Sequence, residues 1–237
     1  MDAEYYSLGD QAIVIELGDK IERTTHQRVK EVSEYLKNHP PYWMIEYIPA
    51  FTTVTVFYDP IKVMQDSTSS KLPYSLVCEK LDQQITNLEI TTDSKPRLIE
   101  IPVCYGGEFG PDLSYVAEKN EMSEDDVIEI HKNGDYLVYM IGFAPGFPYI
   151  GGMDERIATS RRDDPRLKIP AGSVGIAGGQ TGVYPIETPG GWQLIGRTPT
   201  KLFDAGEEVP SLLQAGDQIK FTSITEEEYH NWEGTNS

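Results

Sequence analysis

The sequence predicts an α+β protein of two units in tandem: a small one of mixed strands and helices, then a larger one built of short strands. Three features predict this. The first third alternates strand-like and helix-like apolar spacing. A polar stretch ending in proline, Thr91-Thr92-Asp93-Ser94-Lys95-Pro96, follows it. Between residues 142 and 224 no long amphipathic helix occurs, and β-rich pieces alternate with Gly/Pro turns.

In chain order, Ala12-Ile13-Val14-Ile15-Glu16-Leu17 is β-rich and ends at Gly18-Asp19. Thr24 or Thr25 can cap a helix running to about Asn38, with Val29, Val32 and Leu36 on one face. Pro40-Pro41 ends it. Trp43 to Ile48 and Thr52 to Tyr58 read as strands joined at Pro49-Ala50, and Asp59-Pro60 closes the second. A second helix starts near Ser75 and buries Leu76, Leu81, Ile85 and Leu88. Strand, helix, strand, strand, helix is the order of a ferredoxin-like split βαβ unit. It assigns residues 1–93 to a first domain and 94–237 to a second.

The second domain opens with a strand, Arg97 to Cys104, carrying Leu98, Ile99, Ile101 and Val103. A turn from Tyr105 to Asp112 feeds a helix through Asn120. Ser123-Glu124-Asp125-Asp126 is a capping box with Asp in place of Glu, and its helix stops at Gly134. Tyr136 to Ile141 is an aliphatic and aromatic strand. Short β pieces follow at Gly172 to Ala177, Gly182 to Thr188, Trp192 to Gly196 and Gln218 to Thr222, the pattern of a barrel or sandwich. The acidic tail from Thr225 allows one or two helical turns.

Lys plus Arg is 20 and Asp plus Glu is 38, a net charge of −18. Nucleic acid and anionic membranes repel such a surface, so neither is an expected partner. The charge is uneven. Residues 142–199 hold five acidic and six basic residues, with 12 of the 21 glycines and 7 of the 16 prolines. This segment is +1, and the rest of the chain carries −19.

No basic or apolar leader follows Met1-Asp2-Ala3-Glu4, so a cytoplasmic location is expected. The uncharged stretches Tyr136 to Met153 and Ile169 to Ile186 are broken by Gly and Pro, so neither is expected to span a bilayer. Cys78 and Cys104 form neither a zinc pattern nor a disulfide framework, and four histidines show no metal-ligand spacing. No metal is expected. There is no phosphate-binding Gly-rich loop, and Ala171-Gly172-Ser173-Val174-Gly175 lacks the first glycine of a nucleophile elbow.

Three motifs crowd the near-neutral segment. Gly142-Phe143-Ala144-Pro145-Gly146-Phe147-Pro148-Tyr149-Ile150-Gly151-Gly152 alternates aromatics with turn formers. Pro165-Arg166-Leu167-Lys168-Ile169-Pro170 leads into Ala171-Gly172-Ser173-Val174-Gly175-Ile176-Ala177-Gly178-Gly179-Gln180-Thr181-Gly182-Val183-Tyr184-Pro185. Thr188-Pro189-Gly190-Gly191-Trp192-Gln193-Leu194-Ile195-Gly196-Arg197-Thr198-Pro199 completes the set. Together they resemble the family that includes the B subunit of 5-oxoprolinase, the sporulation kinase inhibitor and allophanate hydrolase subunit 1. The same module forms part of the carboxyltransferase region of urea carboxylase. Gly110-Pro111-Asp112-Leu113, His131 and Leu202-Phe203 also fit. Ser160 stands where proline is expected, and Asp163-Asp164 makes that loop more acidic than the pattern.

The resemblance implies a cyclophilin-like β-barrel for the second domain, without prolyl isomerase activity. It implies two further components: a second carboxyltransferase-like chain, the C subunit, and an A subunit. Together these open 5-oxo-L-proline to L-glutamate at the expense of ATP, with this chain inactive or nearly so alone. Two other readings come with it: inhibition of a sporulation sensor histidine kinase by direct binding, and a carboxyltransferase half served by biotin. No segment here suits a biotinylated lysine.

Opening an unstrained lactam needs cations for a carboxylate and a phosphate, donors for an oxyanion, and a base. Arg161, Arg166 and Arg197 offer forked cations. Gly178 and Gly179 can present backbone N–H groups as an anion nest, and Gln180 and Tyr184 can orient a polar substrate. Phe147 reads as core before it reads as a substrate platform. Asp112, His131 and Lys168 are the candidates for the catalytic group. Asp112 also reads as a helix N-cap, and His131 as a residue meeting the last carbonyls of its helix.

Overall fold

The computed structural model describes residues 3–65, 70–86, 88 and 96–232. Backbone contacts divide the chain into two units, Met1–Lys95 and Pro96–Ser237. Most of the expected linker, residues 91–95, and the tail from 233 lie outside the described residues.

The first unit holds β1 (Glu4–Ser7), β2 (Ala12–Glu16), α1 (Arg23–Asn38), β3 (Met44–Pro49), β4 (Thr53–Tyr58), α2 (Pro60–Gln65) and α3 (Pro73–Ile85). Its sheet runs in the order β1-β2-β4-β3 with every neighbouring pair antiparallel. β2 and β3 are therefore parallel, split by β4 and joined through α1. Ile13, Ile15, Val54 and Val56 meet Val29, Val32 and Leu36 of α1 and Val77, Leu81 and Ile85 of α3 in one core. Each such side chain contributes about 1.5–3 kcal/mol when removed from water.

Three details differ from the sequence reading. β1 was not expected; its side chains are mostly exposed, so no apolar alternation marks it. α2 was not expected either, for only Val63 is buried on it. Asp59 starts it, its Oδ1 accepting from the N–H groups of Ile61 and Lys62 at 2.9 and 3.2 Å. α1 begins after Glu22, so neither Thr24 nor Thr25 is its cap. Thr24 instead donates to the Glu22 carboxylate, and Thr25 is buried.

The second unit holds β5 (Leu98–Tyr105), α4 (Leu113–Lys119), α5 (Glu124–Lys132), β6 (Tyr136–Ile141), β7 (Pro148–Gly151), a 3₁₀ turn (Glu155–Ile157), β8 (Arg166–Ile169), β9 (Ser173–Ala177), β10 (Gln180–Val183), β11 (Thr188–Gly190), β12 (Gln193–Arg197), β13 (Gln218–Ser223) and α6 (Glu226–His230). Seven strands close a barrel in the order β10-β7-β6-β13-β5-β12-β9. Among these neighbours only β13 and β5 run parallel. β8 and β11 form a separate two-stranded flap. Ile101, Val103, Val138, Ile150, Val174, Ile176, Ile195, Ile219 and Phe221 fill the core, joined by Leu113 and Val116 of α4 and Val127 of α5.

The Ser123 capping box is complete in both directions, at 3.1 Å each way. Gly134 is not the left-handed stop expected. Asn133 is the C-cap, and a Cβ on Gly134 would lie 2.3 Å from the Tyr136 ring. The piece expected at 182–188 is two strands, β10 ending at Val183 and β11 starting at Thr188. Among the described residues no helix is long and apolar enough to cross a membrane.

Candidate functional site

The barrel strands alternate their side chains between two faces. On β12, Ile195 enters the barrel core while Leu194 joins a second apolar cluster; at the end of β10, Val183 and Tyr184 divide in the same way. The second cluster comprises Phe147, Ile169, Ala177, Tyr184, Trp192 and Leu194. Phe147 lies at its centre, edge-on to Tyr184 at 5.6 Å and to Trp192 at 5.9 Å. All three rings are buried, so most of their area is packing.

The glycine-rich motifs let backbone approach these rings. A Cβ on Gly190 would sit 2.6 Å from the Tyr184 hydroxyl and 2.7 Å from Ile169 Cδ1. Burial raises the Tyr184 pKa to about 12, while a hydrogen bond with the Trp192 backbone and the charges of Arg161 and Arg166 oppose that rise. The phenol therefore stays protonated at neutral pH. The loop before Phe147 presents Phe143 at φ 69°, a left-handed backbone that bulky residues rarely adopt. Phe143 is 72% exposed and edge-on to Phe147 at 5.5 Å.

Beside the aromatic cluster sits a charged one. Asp112 is 5% exposed. Its Oδ1 accepts from Arg166 Nη2 at 2.8 Å and from Arg162 Nη1 at 3.1 Å. Its Oδ2 accepts from the Leu194 N–H at 2.7 Å, and its own N–H donates to the Leu194 carbonyl at 2.9 Å. Asp112 precedes α4, but its side chain makes no cap hydrogen bond. The N-cap reading is thus corrected: the carboxylate is spent on two guanidiniums and a strand. Arg162 was missed by sequence reasoning. Its place beside Arg161, before a turn, was the available signal.

Arg161 is exposed, and Arg166 is half-buried. Arg166 begins β8 and pairs with Gly190 of β11, which brings it to Tyr184. Its Nη1 is buried and meets no acceptor. The structure thus gathers Asp112, Arg166, Tyr184 and Phe147 from the sequence-predicted set, with Arg161 exposed and its charge felt at Tyr184.

The other predicted residues have different partners. Lys168 is exposed and pairs with Glu187 at 3.1 Å. Arg197 Nε donates to the Ala171 carbonyl at 2.8 Å, bracing the turn before β9. Gly178 and Gly179 form the hairpin between β9 and β10, with Gly178 at φ +58°. The Gly178 N–H already donates to the Thr159 carbonyl at 2.7 Å, so the expected nest lacks that donor. Gln180 starts β10, half-buried, opposite Ala177.

His131 lies inside the barrel unit, fully buried. Its side chain does not meet the helix carbonyls, as the sequence suggested. Nδ1 lies 2.8 Å from the Tyr105 hydroxyl and Nε2 2.9 Å from Thr181 Oγ1. Thr181 Oγ1 donates to the Gly175 carbonyl, so it accepts from Nε2–H, and Tyr105 donates to Nδ1. Burial lowers the His131 pKa to about 3, so the ring is neutral. Elsewhere, Glu108, Glu226 and His230 bring ligand atoms within 4.8 Å of one another on an exposed surface, a grouping that no local spacing announced.

A family model described as the carboxyltransferase domain, subdomain C and D, matches residues 3–213. The chain belongs to that family. A Bacillus subtilis relative, named as the B subunit of 5-oxoprolinase, is 50% identical over 94% of this chain and 93% of its own length. An Escherichia coli O157:H7 relative of the same name is 41% identical over 92% and 95%. Among solved structures, the protein TTHA0988 superimposes with a TM-score of 0.76 at 30% identity; the match covers 90% of this chain and 40% of that one. The Kluyveromyces lactis urea amidolyase gives a TM-score of 0.73 at 22% identity over 97% of this chain and 15% of its own. That likeness is one of fold. This carboxyltransferase-domain chain therefore spans two fifths of TTHA0988 and a smaller part of the amidolyase, but nearly all of its two 5-oxoprolinase relatives.

Proposed function

We infer that this chain is the B subunit of an ATP-dependent 5-oxoprolinase, one component of a hydrolase complex that opens 5-oxo-L-proline to L-glutamate. The observation that carries the reading is the end-to-end match to two relatives of that name at 50% and 41% identity. The urea amidolyase likeness gives the carboxyltransferase alternative a fold and no more. The sensor-kinase alternative has no specific observation of its own. The first unit is read as ferredoxin-like and the second as cyclophilin-like on the same grounds.

The chemistry sets what such a chain must supply. Lactam carbon is a poor electrophile toward water. ATP, when bound, would supply a phosphoryl group that activates the lactam carbonyl toward water; ring opening then breaks the C–N bond, with the nitrogen leaving as the amine and phosphate released. Arg161, Arg162 and Arg166 suit one carboxylate or one phosphate. They do not make a triphosphate cradle, because the Gly178 N–H is already committed and no Gly-rich phosphate loop exists. We therefore assign the nucleotide to the assembled complex. On this chain Arg161 and Arg166 hold an anionic group of the substrate, Tyr184 donates from its protonated phenol, and the buried rings exclude water. His131 is not assigned the base, because it is fully buried with both ring nitrogens engaged by Tyr105 and Thr181.

The chain is then inactive alone and works in the cytoplasm with the A and C components of the complex. Omitting it from the reconstituted complex should abolish ATP-dependent glutamate release, and the isolated chain should release none. Unchanged turnover without it would sink the reading.

A further inference from the structure

Two guanidiniums share one buried carboxylate at Asp112, and the sharing is incomplete. Arg166 Nη2 and Arg162 Nη1 both point at Oδ1. Oδ2 is taken by the Leu194 N–H, so it adds nothing to either arginine. Arg162 Nε donates to the Asp164 carbonyl at 3.3 Å. The exposed Asp163 and Asp164 carboxylates form no ion pair with these arginines among the described residues. Arg166 Nη1 remains buried without an acceptor. An unmade hydrogen bond from a buried charged donor is expensive, so natural sites keep one where something else supplies the acceptor.

The neighbours define what surrounds this nitrogen. Arg166 pairs with Gly190, where a Cβ would lie 2.6 Å from the Tyr184 hydroxyl, so a cation and a hydroxyl donor lie side by side, and the charge of the exposed Arg161 also acts on that phenol. Phe147 and the exposed Phe143 border the same cluster. Forked cations and a phenol donor beside aromatic edges match a small acid with a compact ring, held by its carboxylate.

We propose that Arg161, Arg162 and Arg166 form a carboxylate subsite for a small cyclic amide acid, and that Asp112 is its positioning residue. Asp112 touches no ligand. It fixes the plane of the Arg166 guanidinium and ties it to β12 through Leu194, so the free N–H groups are aimed before the ligand arrives. The ligand class rests on the 5-oxoprolinase reading above; the positioning role of Asp112 does not.

The test uses the full chain, alone and in the reconstituted complex. Asp112→Asn keeps the shape and removes the charge that aligns both arginines. In the complex it should raise the KM for 5-oxo-L-proline about tenfold or more, the loss expected of charge-assisted hydrogen bonds, with kcat within about threefold. Arg166→Lys keeps the charge and loses the fork, so it should raise KM nearly as far. Exposed Arg161→Gln should raise it about threefold without touching the fold. An unchanged KM in Asp112→Asn, or a loss confined to kcat, overturns the positioning role. Should Asp112→Asn not fold, Arg166→Lys and Arg161→Gln decide, and unchanged KM in both overturns the subsite.

Calorimetric titration of the chain alone separates the two readings. Binding of 5-oxo-L-proline that Arg166→Lys abolishes supports the subsite even if the complex turns over without this chain. Arg166-dependent binding of inorganic phosphate with none of 5-oxo-L-proline overturns the carboxylate assignment.

Discussion

Two polar clusters of the barrel unit are built on opposite terms. Inside, Tyr105, His131 and Thr181 form a neutral chain ending on the Gly175 carbonyl, with both ring nitrogens of His131 partnered. Tyr136 completes it by donating to the His131 carbonyl at 2.7 Å. Outside, Asp112 serves two arginines and leaves one buried guanidinium nitrogen without an acceptor. A satisfied, uncharged network specifies a core. An over-subscribed, charged one is suited to receive something. The difference is the reason for proposing the site on the outer face of the barrel, although the inner cluster contains the histidine that attracts attention first.

That contrast can be broken by mutation. His131→Ala should cost the most, about 4 kcal/mol, because it opens a cavity and leaves the Tyr105 hydroxyl unpartnered. Urea unfolding measures it, and ligand affinity of the folded chain should not change. A loss of affinity at unchanged stability would reverse the roles of the two clusters.

Acid sharpens the same point. The His131 pKa is lowered by burial from 6.5 to about 3. Below pH 6.5 the unfolded chain takes up a proton that the folded chain refuses until about pH 3, so stability falls as pH drops through that window and is complete above it. The contribution is a few kcal/mol at most, with a slope approaching about 1.4 kcal/mol per pH unit. His131→Gln should remove that share of the slope. An identical pH profile in the variant would show that His131 titrates normally.

Gly190→Ala tests the outer cluster with a smaller effect. Its Cβ would collide with the Tyr184 hydroxyl and Ile169, costing about 1–3 kcal/mol by thermal unfolding and weakening ligand binding at the same time. Ser123→Ala is the smallest and serves as the control. It removes the α5 cap, costs about 1 kcal/mol, and should leave both clusters as they are.

Legibility followed the range of the interactions. α1, β5, β6, β9, β12, β13 and the α5 cap are readable because apolar spacing and capping are local, whereas β7 lies in a Gly/Pro-rich motif that reads as turns and β10 begins before the piece expected at 182–188. β1 and α2 are not readable, since β1 is exposed on most of its residues and α2 buries one side chain. Arg161, Arg166, Tyr184 and Phe147 are picked by their chemistry within the motif segment, and Arg166, Tyr184 and Phe147 do come together. Their organiser was misread. Asp112 looks like an N-cap in its own neighbourhood, and only folding brings Arg166, 54 residues away, onto its carboxylate. His131 was misread for the same reason, because Thr181 is 50 residues away. Gly178 shows the converse: a glycine pair that suits an anion is consumed by a hairpin and by Thr159.

The central claim is that this chain is a stoichiometric component of the hydrolase. Adding it in increments to the other components, with ATP and 5-oxo-L-proline present, and following glutamate release tests that most directly. Release should rise from near zero and level off at a fixed molar ratio of this chain to its partners. Glutamate release that does not depend on the amount added would contradict that stoichiometric role.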